Sequence, residues 1–344
     1  MAAAPRPFGR RPVRVAARPS LLVLLAAGLT ALLLLAAPAR AGAGEAVSSG
    51  GAAFVAPRGE ELRGDDYGRD WQHSVQVVAN LRAAPPEVPL VVLLGGSSAR
   101  ECTVLDDDWE RQIERRSGYV VDAYNLGSKH RTYAQDLAFV KLLPADVPTI
   151  VYIGVNLGRF CPPVSSASIR LPEPRPLARY GQHVYSRSHI QSRAEKRYHV
   201  AYWLARRYPE FRAHYRSELS MLQKLIRACK RRHLRVALLD LPRDLPTIGS
   251  SLDAPVSRYH RGCASLARSR SIPWLRFNSA AHFRDRDFFD IFHLVEPGRA
   301  KFQSILSDAT IRLLQKYRMP GPTPTPTPTP SASPSASPSA LASH

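Results

Sequence analysis

Apolar residues fall along this chain in short unbroken runs, separated by longer stretches with helical spacing. That alternation predicts a βαβ architecture. Val88 to Leu94 (VPLVVLL) is apolar throughout and stops at Gly95-Gly96, as a parallel strand buried on both faces does. A helix is expected from about Asp107, where Asp107 and Glu110 have capping-box spacing. Tyr119 to Tyr124 predicts a second strand ending in Asn125-Leu126-Gly127, and Tyr133 to Leu143 a helix. Thr149 to Ile153 predicts a third strand, followed by Gly154-Val155-Asn156. Residues 157–195 are irregular and rich in proline and arginine; a long helical pattern then runs from about Tyr198 to Arg232, with a break expected at Pro209. Leu234 to Leu241 is a fourth strand, residues 255–269 a helix, Trp274 to Phe277 a short fifth strand and Pro297 to Lys316 a closing helix. Five strands with intervening helices predict an α/β fold with a doubly wound parallel sheet. In such sheets ligands bind beyond the carboxyl ends of the strands.

Composition sets the two ends apart from this pattern. Residues 1–18 hold five arginines and no acidic group, and an apolar run from Leu21 to Pro38 follows, then Ala39-Arg40-Ala41. Residues 1–41 therefore have the form of a signal peptide, and the apolar stretch is also long enough for an N-terminal membrane anchor. Arg10-Arg11 is a weak twin-arginine signature. Residues 42–60 form a linker, and residues 61–318 have the length of one large catalytic domain. Residues 319–344 are a tail of Thr-Pro and Ser-Ala-Ser-Pro repeats with almost nothing apolar to bury. The expected setting is secreted or extracytoplasmic.

The formal charge of +20 drops to +14 if the six arginines of residues 1–41 are removed. A GC-rich genome accounts for arginine in excess of lysine without any function. A basic surface held near an anionic cell envelope is the functional alternative. Nucleic acid is not an expected partner, because export removes the chain from it and no recognition motif is present. The four cysteines, Cys102, Cys161, Cys229 and Cys263, contain no CxxC pair, so no metal is expected. An even number in an exported chain predicts disulfides.

The candidate chemistry lies at the strand ends. Gly95-Gly96-Ser97, Asn125-Leu126-Gly127 and Gly154-Val155-Asn156 converge on one rim of the sheet, and Asp290-Ile291-Phe292-His293 follows the last strand. A serine hydroxyl needs a base to take its proton, and the base needs a third group to fix its tautomer. Ser97, His293 and Asp290 fit those roles, the spacing of three putting Asp290 and His293 on one side of a turn. The N–H groups of Ser97 and Gly127 and the side-chain amide of Asn156 are candidate oxyanion donors. Taken singly, each of these residues is more often a turn, a cap or a surface pair.

Together, Ser97, Gly127, Asn156 and His293 resemble the four blocks of the SGNH, or GDSL-type, hydrolase superfamily, with Asp290 three residues before His293 as in that family. The similarity runs from about residue 88 to residue 316. It implies a flavodoxin-like three-layer αβα sandwich with a five-stranded parallel sheet, a serine ester hydrolase and no cofactor. The implied partner is an acylated small-molecule, glycan or lipid substrate. The implied activity is esterase, with acyltransferase, lipase or a catalytically impaired binding module as alternatives. One departure stands out: where the family has Gly-Asp-Ser this chain has Gly95-Gly96-Ser97. Ser98 is the alternative nucleophile, but Ser97 keeps the register. An α/β-hydrolase is disfavoured because Ser97 follows the first strand and Asp290 and His293 are too close to come from separate loops. Flavodoxin-like strand order makes the strands before Cys102 and Cys161 neighbours and so suggests a Cys102–Cys161 bridge, with Cys229–Cys263 as the second.

Overall fold

The computed structural model describes residues 67–161, 169–175 and 190–321. The segments read as signal or anchor (1–41) and linker (42–60), and all of the tail beyond residue 321, lie outside them. Among the described residues no helix is long and apolar enough to cross a membrane.

The elements alternate as the pattern predicts. Helix α1 (Tyr67–Ala83) precedes β1 (Leu90–Leu94), α2 (Ser97–Arg100), α3 (Asp106–Ser117), β2 (Asp122–Asn125), α4 (Tyr133–Leu142) and β3 (Thr149–Val155). Then come α5 (Arg193–Tyr202), α6 (Tyr208–Arg231), β4 (Arg235–Asp240), α7 (Leu245–Ile248), α8 (Asp253–Arg270), β5 (Trp274–Arg276) and α9 (Glu296–Lys316). All four strand pairings are parallel, in the order β2-β1-β3-β4-β5. This is the flavodoxin-like doubly wound order, whose topological switch lies between β1 and β3.

The strand side chains alternate between two cores. Leu90, Val92, Leu94, Val151, Ile153 and Leu238 pack with α1, α4, α6 and α8 on one face. Val91, Leu93, Ile150, Tyr152 and Leu239 pack with Trp109 and Ile113 of α3 and Phe302 and Leu306 of α9 on the other. The result is a three-layer αβα sandwich. Each fully buried Val, Leu, Ile or Phe contributes roughly 1.5–3 kcal/mol, so the sheet and its two helix layers form a rigid floor for the rim.

Three local expectations need correction. Helix α3 starts at Asp106, after Leu105, without a side-chain cap. The Asp106 carboxylate is used elsewhere: it accepts the Asn125 N–H (2.8 Å) and pairs with buried His73 (3.2 Å). At the other site, Pro209 does not break the helical run. A π turn over residues 203–207 joins α5 to α6, and Pro209 stands in the first turn of α6, where its missing N–H costs least.

The third correction concerns the cysteines, all four of which are buried free thiols. Cys102 belongs to the core on the α3–α9 face, whereas Cys161, Cys229 and Cys263 belong to the opposite core. The sheet lies between Cys102 and Cys161, which rules out that bridge. The second expected bridge, Cys229–Cys263, is not formed either, although both thiols belong to one core.

Candidate active site

Ser97 opens α2 directly after the turn Gly95-Gly96, and the N–H groups of Ala99 and Arg100 bond the Gly96 carbonyl (3.0 and 3.1 Å). A Cβ on Gly95 would lie 2.5 Å from the Ala99 Cβ, so glycine is required there. Gly96 is different. A Cβ at that position would meet only the Arg159 Cδ, at an ordinary 3.7 Å.

Asp290 and His293 come from the loop after β5, which a bridge between Phe288 and Leu294 closes. The Asp290 Oδ1 accepts the N–H groups of Phe292 (2.7 Å) and His293 (2.9 Å), and Oδ2 lies 2.8 Å from His293 Nδ1. Burial pushes the Asp290 carboxyl up, but the neighbouring His293 and these hydrogen bonds outweigh it and hold the group at about 2. An ionised carboxylate only accepts, so His293 Nδ1 donates and Nε2 is left with its lone pair. That lone pair faces the Ser97 hydroxyl at 2.9 Å. Serine, histidine and aspartate thus form one continuous hydrogen-bonded relay at the carboxyl rim of the sheet.

Asn156 stands at the end of β3 and lines the same cavity as Ser97. Its Oδ1 caps the following 3-10 turn through the Arg159 N–H (3.1 Å), and its Nδ2 donates to the Ser98 Oγ (3.0 Å). Gly127 is not brought into this group. Its N–H donates to the Asn125 Oδ1 (3.0 Å), and a Cβ on it would stand 2.5 Å from the Arg100 backbone nitrogen. Gly127 therefore permits a close approach of two backbones behind the serine turn. Asn125, buried alongside, ties that turn to β2 by donating to the carbonyls of Ala99 (2.8 Å) and Arg100 (3.2 Å) and to the Thr103 hydroxyl (2.7 Å).

The relay opens into a cleft of about 690 Å³. Its walls include residues with no sequence-level assignment: Arg131, Arg159 and Glu218 toward the floor, and Tyr198, Tyr202 and Arg207 toward the mouth. Helix α5 is fixed over the cleft by Lys196, whose buried ammonium donates to the Asp244 Oδ2 (3.1 Å) and to the Asp285 Oδ1 (2.8 Å) and carbonyl (2.7 Å). His130, at φ 57°, also lines the cleft. Burial lowers its proton affinity, and the charges of Lys129 and Arg207 lower it further.

Asp290→Asn is expected to reduce kcat by about 10²–10⁴-fold, because an amide no longer enforces the Nδ1–H tautomer. The sign of the pH effect follows from the depressed value. The stabilisation due to ionised Asp290 is present above about 4 and is lost as pH falls through about 2. Denaturant unfolding of wild type and Asp290→Asn should therefore differ at neutral pH and converge toward pH 2.

No protein-family model matches the chain, and no curated protein matches it. Similarity is found among solved structures. A lipase/acylhydrolase from Enterococcus faecalis is 15% identical, with 68% of this chain and 98% of that chain covered, at a TM-score of 0.38. A catalytic mutant of an acetylxylan esterase from Geobacillus stearothermophilus is 10% identical, with 66% and 93% covered, at a TM-score of 0.42. A further acetyl xylan esterase is 11% identical, with 65% and 99% covered, at a TM-score of 0.39.

Proposed function

We propose that this chain is a serine esterase of the SGNH type, exported from the cytoplasm and acting on acyl groups ester-linked to a glycan. The observation that carries the esterase reading is the relay Asp290–His293–Ser97, with links of 2.8 and 2.9 Å. His293 Nε2 takes the Ser97 proton as Oγ bonds to the ester carbonyl carbon. The tetrahedral intermediate collapses with loss of the alcohol, which leaves with the proton that His293 held. Water, deprotonated by the same nitrogen, then releases the acid and restores Ser97.

The developing oxyanion needs donors at the serine turn. The Ser97 N–H, at the first position of α2, and the Asn156 side-chain amide are the candidates. The N–H of Gly127, the third expected donor, is turned to the Asn125 Oδ1 (3.0 Å). The glycan reading is supported by Tyr198 and Tyr202, four residues apart on α5, which are 68% and 52% exposed at the cleft mouth. Flat aromatic faces on one side of a helix offer a platform for apolar ring surface while the cleft supplies hydrogen bonds. Export is supported by the basic, apolar and small-residue sequence of residues 1–41.

A fluorophosphonate probe tests the reading directly, since it reacts only with a serine whose proton a base accepts. Labelling of the folded protein at Ser97, mapped by peptide mass, is the expected result. An unlabelled Ser97 would reduce the protein to a binding module.

A further inference from the structure

Beneath the cleft two guanidinium groups share one carboxylate. Asp136 accepts from the Arg131 Nε through Oδ1 and from the Arg159 Nη2 through Oδ2, each at 2.6 Å. All three side chains are buried, Arg159 at 2% exposure and the other two at zero. The Arg131 Nη1 is satisfied by the Leu126 carbonyl. The Arg131 Nη2 and the Arg159 Nε and Nη1 are buried without a hydrogen-bond partner. Both arginines line the cavity that holds Ser97.

Two guanidinium groups face one carboxylate, and an uncompensated buried charge is costly to keep. Glu218 also lines the cavity; burial raises its carboxyl's proton affinity, and nearby Arg159 and His214 lower it. Tyr133, whose ring lies 4.1 Å below the Arg159 guanidinium, contributes a quadrupole rather than a charge. At the mouth Arg207 adds a cation, paired with Glu210, and Lys129 and Arg207 together lower the proton affinity of His130. Arg159 also lies against the nucleophile turn, its Cδ within ordinary contact of any Cβ placed on Gly96.

We propose that the cleft is built for acyl esters of acidic sugars, with an anionic group of the sugar, a carboxylate or a sulfate, bound by Arg159 beside the scissile ester. The inference rests on the esterase reading and adds the class of substrate to it. A bound anion engages guanidinium donors that are otherwise idle, and charge-assisted hydrogen bonds of this kind are the strong ones.

The test compares O-acetylated glucuronate with the O-acetylated methyl glucoside at fixed ionic strength. Wild type should show kcat/KM about tenfold or more higher for the glucuronate, the size of one good charge-assisted contact. Arg159→Gln should bring the ratio close to one, and Arg159→Lys should keep part of it. A wild-type ratio near one overturns the inference. Because Arg159→Gln disturbs a buried cluster, a second measurement uses wild type alone: free glucuronate should inhibit hydrolysis of 4-nitrophenyl acetate at a concentration about tenfold or more below that needed for glucose. Equal inhibition overturns the inference as well. Glucose 6-sulfate acting like glucuronate would assign the site to either anion, and glucuronate acting alone to the carboxylate. Failure of the two readings is distinguishable. Glucuronate bound by a protein that hydrolyses no ester removes the esterase and leaves the anion site, whereas ester hydrolysis without anion preference does the reverse.

Discussion

Ser97→Ala is expected to lower kcat for 4-nitrophenyl acetate by at least about 10⁴-fold, the loss that follows when a nucleophile and its base act as a unit. Alanine removes the hydroxyl placed 2.9 Å from the His293 Nε2, and Ser98, the neighbouring hydroxyl, is turned to the Asn156 amide instead. His293→Ala should cost a similar factor, and the double variant little more than either single one, because without the base the hydroxyl is inert. Steady-state rates of the three variants, each first checked for cooperative unfolding, decide the matter. Equal rates for wild type and Ser97→Ala would end the mechanism.

Asp136→Asn is expected to be the most damaging change to stability among those away from the relay. It preserves shape and removes the carboxylate that pairs with both Arg131 and Arg159, each at 2.6 Å. Breaking a buried ion pair from one side costs about 3–5 kcal/mol, since the remaining charge has lost both water and partner. For a domain of this size that corresponds to a fall in Tm on the order of 10 °C. Thermal unfolding with and without glucuronate checks the value. An unchanged Tm would mean that the two guanidinium groups find compensation elsewhere.

The alternation of apolar runs and helical stretches was sufficient for the sheet, because a strand buried on both faces leaves a continuous apolar signature. Strands β1, β3 and β4 were legible to within about two residues. The relay was legible for a different reason: Asp290 and His293 are three residues apart in sequence, so their geometry is local. The role of Gly127 is not legible in the sequence, because a glycine after a strand looks the same whether it donates to a substrate or lets Arg100 pass close by. The disulfide failed on the same ground, since sequence distance from a strand does not say to which face a loop turns. Arg159 and Asp136 were not picked out, yet a signal was present. Tyr133, Asp136, Phe139 and Val140 form one buried stripe of α4, and an aspartate on an apolar stripe announces a buried cation.

The π turn at residues 203–207 sets the rotation of α5 relative to α6. Such a turn holds one residue more than α-helical winding needs, so deleting a single residue there would rotate everything upstream by about 100°. That rotation would carry Tyr198 and Tyr202 off the cleft mouth and pull Lys196 out of its pairs with Asp244 and Asp285. The extra residue of the π turn thus sets which side of α5 faces the cleft, and the Lys196 ion pairs hold that setting.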